Sequence, residues 1–334
     1  METRFPLKGL CGLIFSGKHG FGRLMCATGL VLLSACSANE QKIKDDALQK
    51  AAQTLEGDRI GRLFELTHPQ HTDTSYLLAT FDLLCAAELQ LDDTLLSAMN
   101  QSQTLVLEYD LTDEQLTRQL DRVMHMRHGQ NLKSLLPTRD YQELILFFRD
   151  SLHTELSDVA TIKPVFLNAM MTGAFLDCEN PVSYPYVLAQ EARQQDMRIR
   201  GLETMPERIG FFDSLRFQKH LEWLAAKARQ PERTRMIYQR LKEAYRAANV
   251  DKVWRITRAY HNDVPGFVRH TLERRNAFWM ERIQKMLEAE KKALFLAVGA
   301  AHLGGPEGLI SRLEAKGYQL KALRLASVQG PPSS

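Results

Sequence analysis

The hydrophobic positions of this chain fall into short runs that are separated by longer amphipathic stretches. Runs rich in apolar and β-branched residues predict five strands, namely Ser75–Phe81, Thr104–Tyr109, Met197–Gly201, Ala293–Gly299 and Tyr318–Ala326. The first, second and fourth runs are almost continuously apolar, which is typical of strands buried on both faces of a sheet. The pattern therefore predicts an α/β fold with a mostly parallel central sheet.

Apolar residues at helical spacing fill the segments between these runs. Asp93 is placed to cap one helix, and another is predicted from Pro306 to Gly317, between the last two strands. Large helical insertions are predicted at about 112–195 and 211–290, so helix is expected to predominate.

The N-terminus has a pattern of its own. Basic residues precede a short apolar run, Leu24–Ala35, as in a secretory signal peptide. Crossing a hydrocarbon core of ~30 Å takes about 20 helical residues, so the run is short for a retained anchor, which is the alternative. It ends in Leu-Ser-Ala-Cys at Cys36, which resembles a bacterial lipobox, where the cysteine takes a diacylglycerol after cleavage.

This pattern predicts a division of the chain and a location. Residues 1–35 are expected to be the signal, 36–55 a lipidated tether with a first helix, and 56–328 the α/β domain. The domain would lie in the periplasm, with the membrane as a partner through the anchor. Ser37 after the cysteine resembles the sorting signal for the outer membrane rather than the inner one.

Composition adds little to this assignment. Hydrophobic residues at 44% and charged residues at 25% are typical of a globular body, and a net charge of +3 gives no argument for nucleic-acid binding. Cys85 and Cys178 are the cysteines left after Cys36 and the signal. In an oxidising compartment they could form a disulfide, and two buried thiols are the alternative.

Polar side chains follow the predicted strands, where open α/β sheets build their binding sites. Common catalytic patterns such as HExxH, GxSxG and the P-loop are absent from the sequence. The candidates at strand ends are instead Asp82, Glu108, Glu203 and His302. Each has a structural alternative, because Asp82 could cap a helix, His302 could be a buried structural histidine, and the glutamates could pair with Arg275.

The segment around His302, FLAVGAAHLGGPEGLISRLEAKGYQL, resembles the C-terminal signature of the TraB/GumN family, which includes the TIKI metalloproteases. Further motifs follow in the family's order, namely Leu105-Val106-Leu107-Glu108, Lys163-Pro164, Gly201-Leu202-Glu203-Thr204 and Arg275-Asn276. The resemblance extends from about Ser75 to Leu325.

The resemblance implies a divalent metal such as Mn, Co or Zn, held by histidine and carboxylate ligands. Its implied ligands here are Asp82, Glu108 and His302, its catalytic groups Glu108, Glu203 and His302, and its substrate-binding residues Arg275 and Asn276. The chain also departs from the family, because Ala-Thr-Phe-Asp ending at Asp82 stands where the family has Gly-Thr-x-His. The Ser183-Tyr184-Pro185 turn and Arg208 are further departures.

Two hypotheses follow. The first is a membrane-anchored, metal-dependent hydrolase with a degenerate first metal motif, whose substrate is unknown and for which only the resemblance to TIKI suggests a peptide. The second is a non-catalytic envelope lipoprotein that keeps the fold as a binding or assembly module, and the departures at Asp82 and Arg208 favour it.

Overall fold

The structure is a computed structural model of the chain. It describes residues 41–70, 73–89, 91–176, 178, 181–262, 264–289 and 293–325. The predicted signal peptide and Cys36 lie outside this range. The chain divides after Asp46 into two units, and the second unit, from Ala47 onwards, holds nearly all of the described residues. Among the described residues, no helix has the length and apolar character needed to cross a bilayer.

A mixed sheet forms the centre of the second unit. The strands of the described residues are β1 (Leu63–Thr67), β2 (Ser75–Thr80), β3 (Leu83–Cys85), β4 (Thr104–Leu107), β5 (Pro181–Ser183), β6 (Arg198–Gly201), β7 (Leu294–Gly299) and β8 (Gln319–Leu323). The main sheet has the order β6-β4-β7-β2-β1-β8, and β3 pairs with β5 in a small second sheet. Strands β6, β4, β7 and β2 run parallel, whereas β1 is antiparallel to both neighbours. The predicted α/β fold with a mostly parallel sheet is therefore confirmed.

The sequence missed strand β1 and the small sheet. The apolar run of β1 is only five residues long and is interrupted by Glu65. This segment forms a strand because it pairs with β2 on one side and with β8 on the other. Strand β5 lies inside the stretch where only helices were predicted, and that prediction was wrong for Pro181–Ser183. Strand β8 runs parallel to β7, as predicted, but β2 and β1 lie between them.

Helices surround the sheet and make up most of the described residues. They are α1 (residues 41–51), α2 (Asp93–Asn100), α3 (Leu116–Met124), α4 (Leu132–Leu135), α5 (Thr138–Leu152), α6 (Leu156–Val159), α7 (Pro164–Thr172), α8 (Tyr184–Gln194), α9 (Met205–Asp213), α10 (Phe217–Arg229), α11 (Pro231–Arg246), α12 (Val250–Tyr260), α13 (Arg274–Ala289) and α14 (Leu309–Glu314). A π-helical turn, Arg269–Glu273, leads into α13. Asp92, rather than Asp93, caps α2 by accepting a hydrogen bond from the Leu95 amide.

Two large hydrophobic cores and a small third cluster around Leu215, Val264 and Phe267 support these elements. The larger one packs the sheet against α2, α8, α12 and α13, with Trp279 fully buried within it. The smaller one lies between α5, α7 and α10 and is built from leucine and phenylalanine side chains. Helix α10 packs against both α5 and α7, so it is the central element of this second core.

A buried lysine lies at the edge of the smaller core. Lys227 on α10 is 2% exposed, and its Nζ lies 4.4 Å from the centre of the Trp223 ring. Its hydrogen bond to the Asn168 carbonyl oxygen is long, at 3.4 Å. Burial lowers the pKa of Lys227 to about 7. Burial, and then the nearby Lys227, also hold the pKa of His261 well below its ordinary value.

A disulfide joins Cys85 to Cys178, with 5.7 Å between their Cα atoms. Cys85 ends β3, which pairs with β5 and begins directly after Asp82. The bridge closes a loop between residues 93 positions apart. It therefore fastens the segment that follows the end of β2 to the segment just before β5.

Candidate functional site

The parallel strands bring the predicted polar residues to one edge of the sheet. Glu108 follows β4, Glu203 follows β6, and His302 follows β7 after one short turn. Asp82 comes two residues after β2. Because β2, β7, β4 and β6 are neighbours in that order, these side chains lie at the carboxyl ends of adjacent strands. Open α/β sheets bind their ligands at this edge.

The Arg275 guanidinium lies at the centre of this cluster. It reaches the site from the start of α13 and is 3% exposed. Its Nη2 donates to Glu203 at 2.6 Å and to Glu108 at 2.8 Å, and its Nη1 donates to His302 Nε2 at 3.1 Å. One arginine thus joins the residues that follow β4, β6 and β7.

A second guanidinium, that of Arg208, closes the outer side of the cluster. Its Nη1 donates to a carboxylate oxygen of Glu108 and to Glu203 at 3.2 Å. Arg208 lies in the first turn of α9, which starts directly after Glu203 because Thr204 caps that helix. The Arg208 side chain remains 20% exposed and covers the Tyr109 ring at 5.2 Å. It therefore forms part of the solvent-facing surface of the site.

His302 is held in one orientation by Asn276. His302 Nδ1 lies 2.7 Å from Asn276 Oδ1, while the Asn276 amide nitrogen donates to the backbone oxygens of His302 and Glu307. Since Asn276 Oδ1 can only accept, Nδ1 carries the proton and Nε2 accepts from Arg275. Burial, and then Arg275, hold the pKa of His302 well below its ordinary value. His302 is therefore a neutral imidazole with both nitrogens engaged.

The two carboxyl groups nearest the solvent have pKa values shifted in opposite directions. Burial alone would raise the pKa of Glu108, but Arg208 and Arg275 outweigh it and hold this pKa well below its ordinary value. The pKa of Asp82 is raised, first because surrounding protein displaces water and then because Glu108 lies nearby. Asp82 nevertheless keeps an exposed side chain. It therefore lies in a recess that solvent still enters.

A close contact with α12 fixes the loop that follows His302. Gly305 adopts a positive φ of +81°, and an added Cβ there would lie 2.4 Å from the Trp254 ring. Asp251 accepts from the Gly305 amide at 2.8 Å and from the Arg59 amide at 2.8 Å. The position of His302 is thus set by a tightly packed loop.

A divalent metal held by Asp82, Glu108 and His302 does not fit this arrangement. Metal ligation needs the free lone pair of a neutral imidazole, and here His302 Nε2 accepts from Arg275. The carboxylate oxygens of Glu108 and Glu203 that point inward already accept from arginine. Among the described residues, no group of three or more histidine, cysteine, aspartate or glutamate side chains is arranged for metal binding. Guanidinium groups supply the positive charge at this position.

The structure therefore brings together most of the predicted site residues, in roles that the sequence left open. The ion pair between the glutamates and Arg275, which was the structural alternative, is present. Asn276 is 2% exposed and positions His302 from within the protein. The sequence marked Arg208 as a departure from the family but did not place it in the site. The sequence does contain a pattern that could have placed Arg208 near the site. The capping box from Thr204 to Glu207 starts α9 next to Glu203, and Arg208 lies in the first turn of that helix.

Comparison with known proteins gives a match at the family level. The model of the TraB/PrgY/gumN family matches residues 63–322. This range includes every strand of the main sheet except the last residue of β8, and it includes the whole strand-end cluster. No curated protein and no solved structure matches the chain.

Proposed function

The chain belongs to the TraB/PrgY/GumN family, and from that premise we propose that it is an envelope-anchored member whose strand-end site binds a ligand without a resident metal. The observation that carries the proposal is the position of Arg275, whose guanidinium lies between Glu108, Glu203 and His302. A metal would have to displace this buried arginine. The site is thus suited to recognition by charged side chains, and the fold serves as a binding module.

The outer residues of the cluster have the exposure that ligand binding requires. Asp82 is exposed, Tyr109 is half-buried, and the Arg208 side chain is 20% exposed. Behind them, Arg275 and Asn276 are almost fully buried and fix their neighbours through several hydrogen bonds. Such a pre-organised site loses little conformational entropy on binding. Asp82 and Arg208 place an acidic and a basic group at the exposed side of the site, which suits a ligand that carries both a positive and a negative charge.

Attachment to the envelope is supported by the N-terminal pattern. The short apolar run and the lipobox-like ending at Cys36 favour a cleaved signal and a lipid anchor, with the domain in the periplasm. Ser37 favours the outer membrane. The disulfide between Cys85 and Cys178 agrees with an oxidising compartment.

Metal content tests the proposal directly. The full chain is purified in detergent, incubated with Mn²⁺, Co²⁺ or Zn²⁺, desalted and analysed by elemental mass spectrometry. Wild type, Asp82→Asn and His302→Ala are compared, with His125→Ala as the matched control because His125 is exposed at the end of α3, outside the strand-end cluster. We expect far less than one metal per chain in all four proteins.

Stoichiometric metal in the wild type and in His125→Ala, lost in both site variants while circular dichroism stays unchanged, would overturn the proposal. That result would place a metal at the strand-end site and make the metal-dependent hydrolase the hypothesis to test for activity.

A hydrolase remains the second candidate because of one observation. The pKa of Asp82 is raised and that of Glu108 is lowered. Two carboxyl groups whose pKa values lie far apart can serve as general acid and general base. In this scheme Asp82 would hold and donate a proton while Glu108 stays ionised. A peptide substrate is suggested only by resemblance to the TIKI metalloproteases. The test is a screen with quenched fluorescent peptides, in which Asp82→Asn must abolish any turnover that the wild type shows.

A further inference from the structure

A pocket of about 130 Å³ lies beside the strand-end site. Glu203 contributes to its wall, so the pocket borders the cluster described above. The segment after β4, helix α3 and the start of α9 form the other walls. A single water needs only ~10–15 Å³ of such space, so the pocket has room for a group of side-chain size.

The pocket combines two carboxylates with an apolar lining. Asp110 and Asp113 provide the carboxylates, and Leu116 and Met205 provide apolar surface. This combination matches an aliphatic chain that ends in a positive charge, because such a chain packs its stem on apolar groups and keeps its head on polar ones.

The charges of Asp110 and Asp113 are not neutralised within the described part of the chain. Asp110 Oδ1 accepts from the amide and hydroxyl of Thr112, at 2.8 and 2.7 Å, and these donors are neutral. The partners of Asp113 are likewise neutral, a backbone amide and a glutamine side chain.

The cations nearest the pocket already have partners of their own. Arg282 lines the pocket but pairs with Glu207, at 2.8 and 3.0 Å. Arg208 and Arg275 pair with Glu108 and Glu203. With these cations paired to other glutamates, Asp110 and Asp113 leave the described lining with a net negative charge.

We infer that this pocket binds the side chain of a basic residue, lysine or arginine, in a peptide ligand of the strand-end site. The inference rests on the proposed function, because it takes the site to be a binding site. An inorganic cation fits less well, since the described residues contain no group of three or more metal-ligating side chains. The apolar contribution of Leu116 and Met205 also has no role in holding an inorganic ion.

Calorimetric titration of the full chain in detergent, at low salt, tests the inference. The probes are acetyl-Ala-Lys-Ala-amide, the same peptide with norleucine for lysine, and 1,5-diaminopentane as a free amine. The variant is the double substitution Asp110→Asn and Asp113→Asn, which keeps an oxygen acceptor at each position. The matched control is Glu114→Gln, an exposed acid in the same segment.

We expect the wild type to bind the lysine peptide about tenfold more tightly than the norleucine peptide, which is the effect of one ion pair of about 1.4 kcal/mol. The double variant should reduce this preference to about twofold or less, and Glu114→Gln should retain it. Equal affinity for the two peptides, no binding at millimolar concentration, or an unchanged preference in the double variant would overturn the inference. Tighter binding of the diamine than of the lysine peptide would overturn the assignment to a peptide.

The two proposals fail in different ways. A protein without metal that shows no preference for lysine refutes the pocket assignment alone. Stoichiometric metal that is present in the wild type and lost in both Asp82→Asn and His302→Ala refutes the proposed function, whatever the peptides do.

Discussion

Two regions of this molecule bury basic side chains, and they do so with opposite results. At the strand ends, Arg208 and Arg275 face the carboxylates of Glu108 and Glu203. In the helical core, Lys227 contacts the Trp223 and Tyr238 rings and one distant carbonyl oxygen. The comparison teaches that the partner, not burial alone, decides whether a buried base stays charged.

The pKa shifts express this difference. For Arg208, burial opposes the charge, but Glu108 and Glu203 outweigh it and raise the pKa of the guanidinium. For Lys227, burial acts alone and lowers the pKa to about 7. The same transfer out of water thus leaves one base firmly ionised and the other half-neutral at physiological pH.

The largest expected effect comes from removing the central arginine. Arg275→Leu leaves the buried Glu203 carboxylate with one arginine instead of two, and breaking such a pair typically destabilises a protein by about 3–5 kcal/mol. Urea unfolding at pH 7 measures the loss. The control Arg312→Ala breaks a more exposed ion pair with Glu307, and we expect less than about 1 kcal/mol there. Equal losses in the two variants would contradict the role given to Arg275.

Removing Lys227, the buried base of the helical core, should raise the free energy of unfolding. Lys227→Met keeps the length of the side chain and fills the same apolar surroundings. It removes the cost of burying an amine that has no carboxylate partner among the described residues. Replacing buried ionisable groups by apolar ones of similar volume can stabilise a protein by about 1–4 kcal/mol. We expect a gain in the lower half of that range at pH 7, because the contact with the Trp223 ring is lost. A net loss of stability in urea unfolding would contradict the claim that the buried Lys227 destabilises the native protein.

The pH dependence sharpens the same contrast. The folded pKa of Lys227 is about 7, below the ordinary value of 10.5, so between these values the unfolded chain binds a proton that the native protein lacks. The free energy of unfolding should therefore rise from pH 7 towards pH 10 in the wild type. In Lys227→Met this rise should be smaller, and identical slopes in the two proteins would contradict the assignment.

A smaller effect is expected from the residue that orients the histidine. Asn276→Leu leaves the Nδ1 proton of His302 and two backbone oxygens without their buried partner. An unsatisfied buried polar group costs about 1–3 kcal/mol. In NMR spectra of the His302 ring, we also expect the fixed Nδ1–H tautomer of the wild type to be lost. A variant that keeps this tautomer would show that Arg275 alone selects it.

The smallest effect is expected at the exposed side of the cluster. Arg208→Gln removes one of the two guanidinium groups that lower the pKa of Glu108, and it leaves the other in place. We expect a loss of about 1 kcal/mol at pH 7. Because the folded pKa of Glu108 rises in the variant, stability should be lost at a higher pH on acidification than in the wild type. Coincident acid titrations would mean that Arg275 alone holds Glu108 ionised.

Much of the fold could be predicted because its central strands are almost purely apolar. Strands β2, β4 and β7 are nearly continuous apolar runs, which is typical of strands in a sheet covered on both faces. Strand β1 contains Glu65 and is recognisable only through its pairing with β2 and β8. The end of a strand is a local property, so Glu108, Glu203 and His302 could be named from the sequence.

The roles of those residues could not be predicted in the same way. Whether Glu203 binds a metal or an arginine depends on Arg275, which is 72 positions away and enters from a different element. The protonation of His302 depends likewise on contacts with Asn276 and Arg275. Whether these residues bind a metal or form ion pairs depends on residues that are distant in the sequence and close in space. For this reason the sequence alone left both roles open.

The pairing of β2 with β7 also has a consequence for the time course of synthesis. Tyr76 lies opposite Phe295 in that ladder, so β2 has its antiparallel neighbour β1 at once but meets its parallel neighbour β7 only after more than two hundred further residues have been made. Strand β7 lies between β2 and β4, so the middle of the sheet stays open until the C-terminal part of the chain arrives. A chain truncated before β7 would lack His302 and both ladders of β7, and contacts between such distant segments are typical of slowly folding proteins.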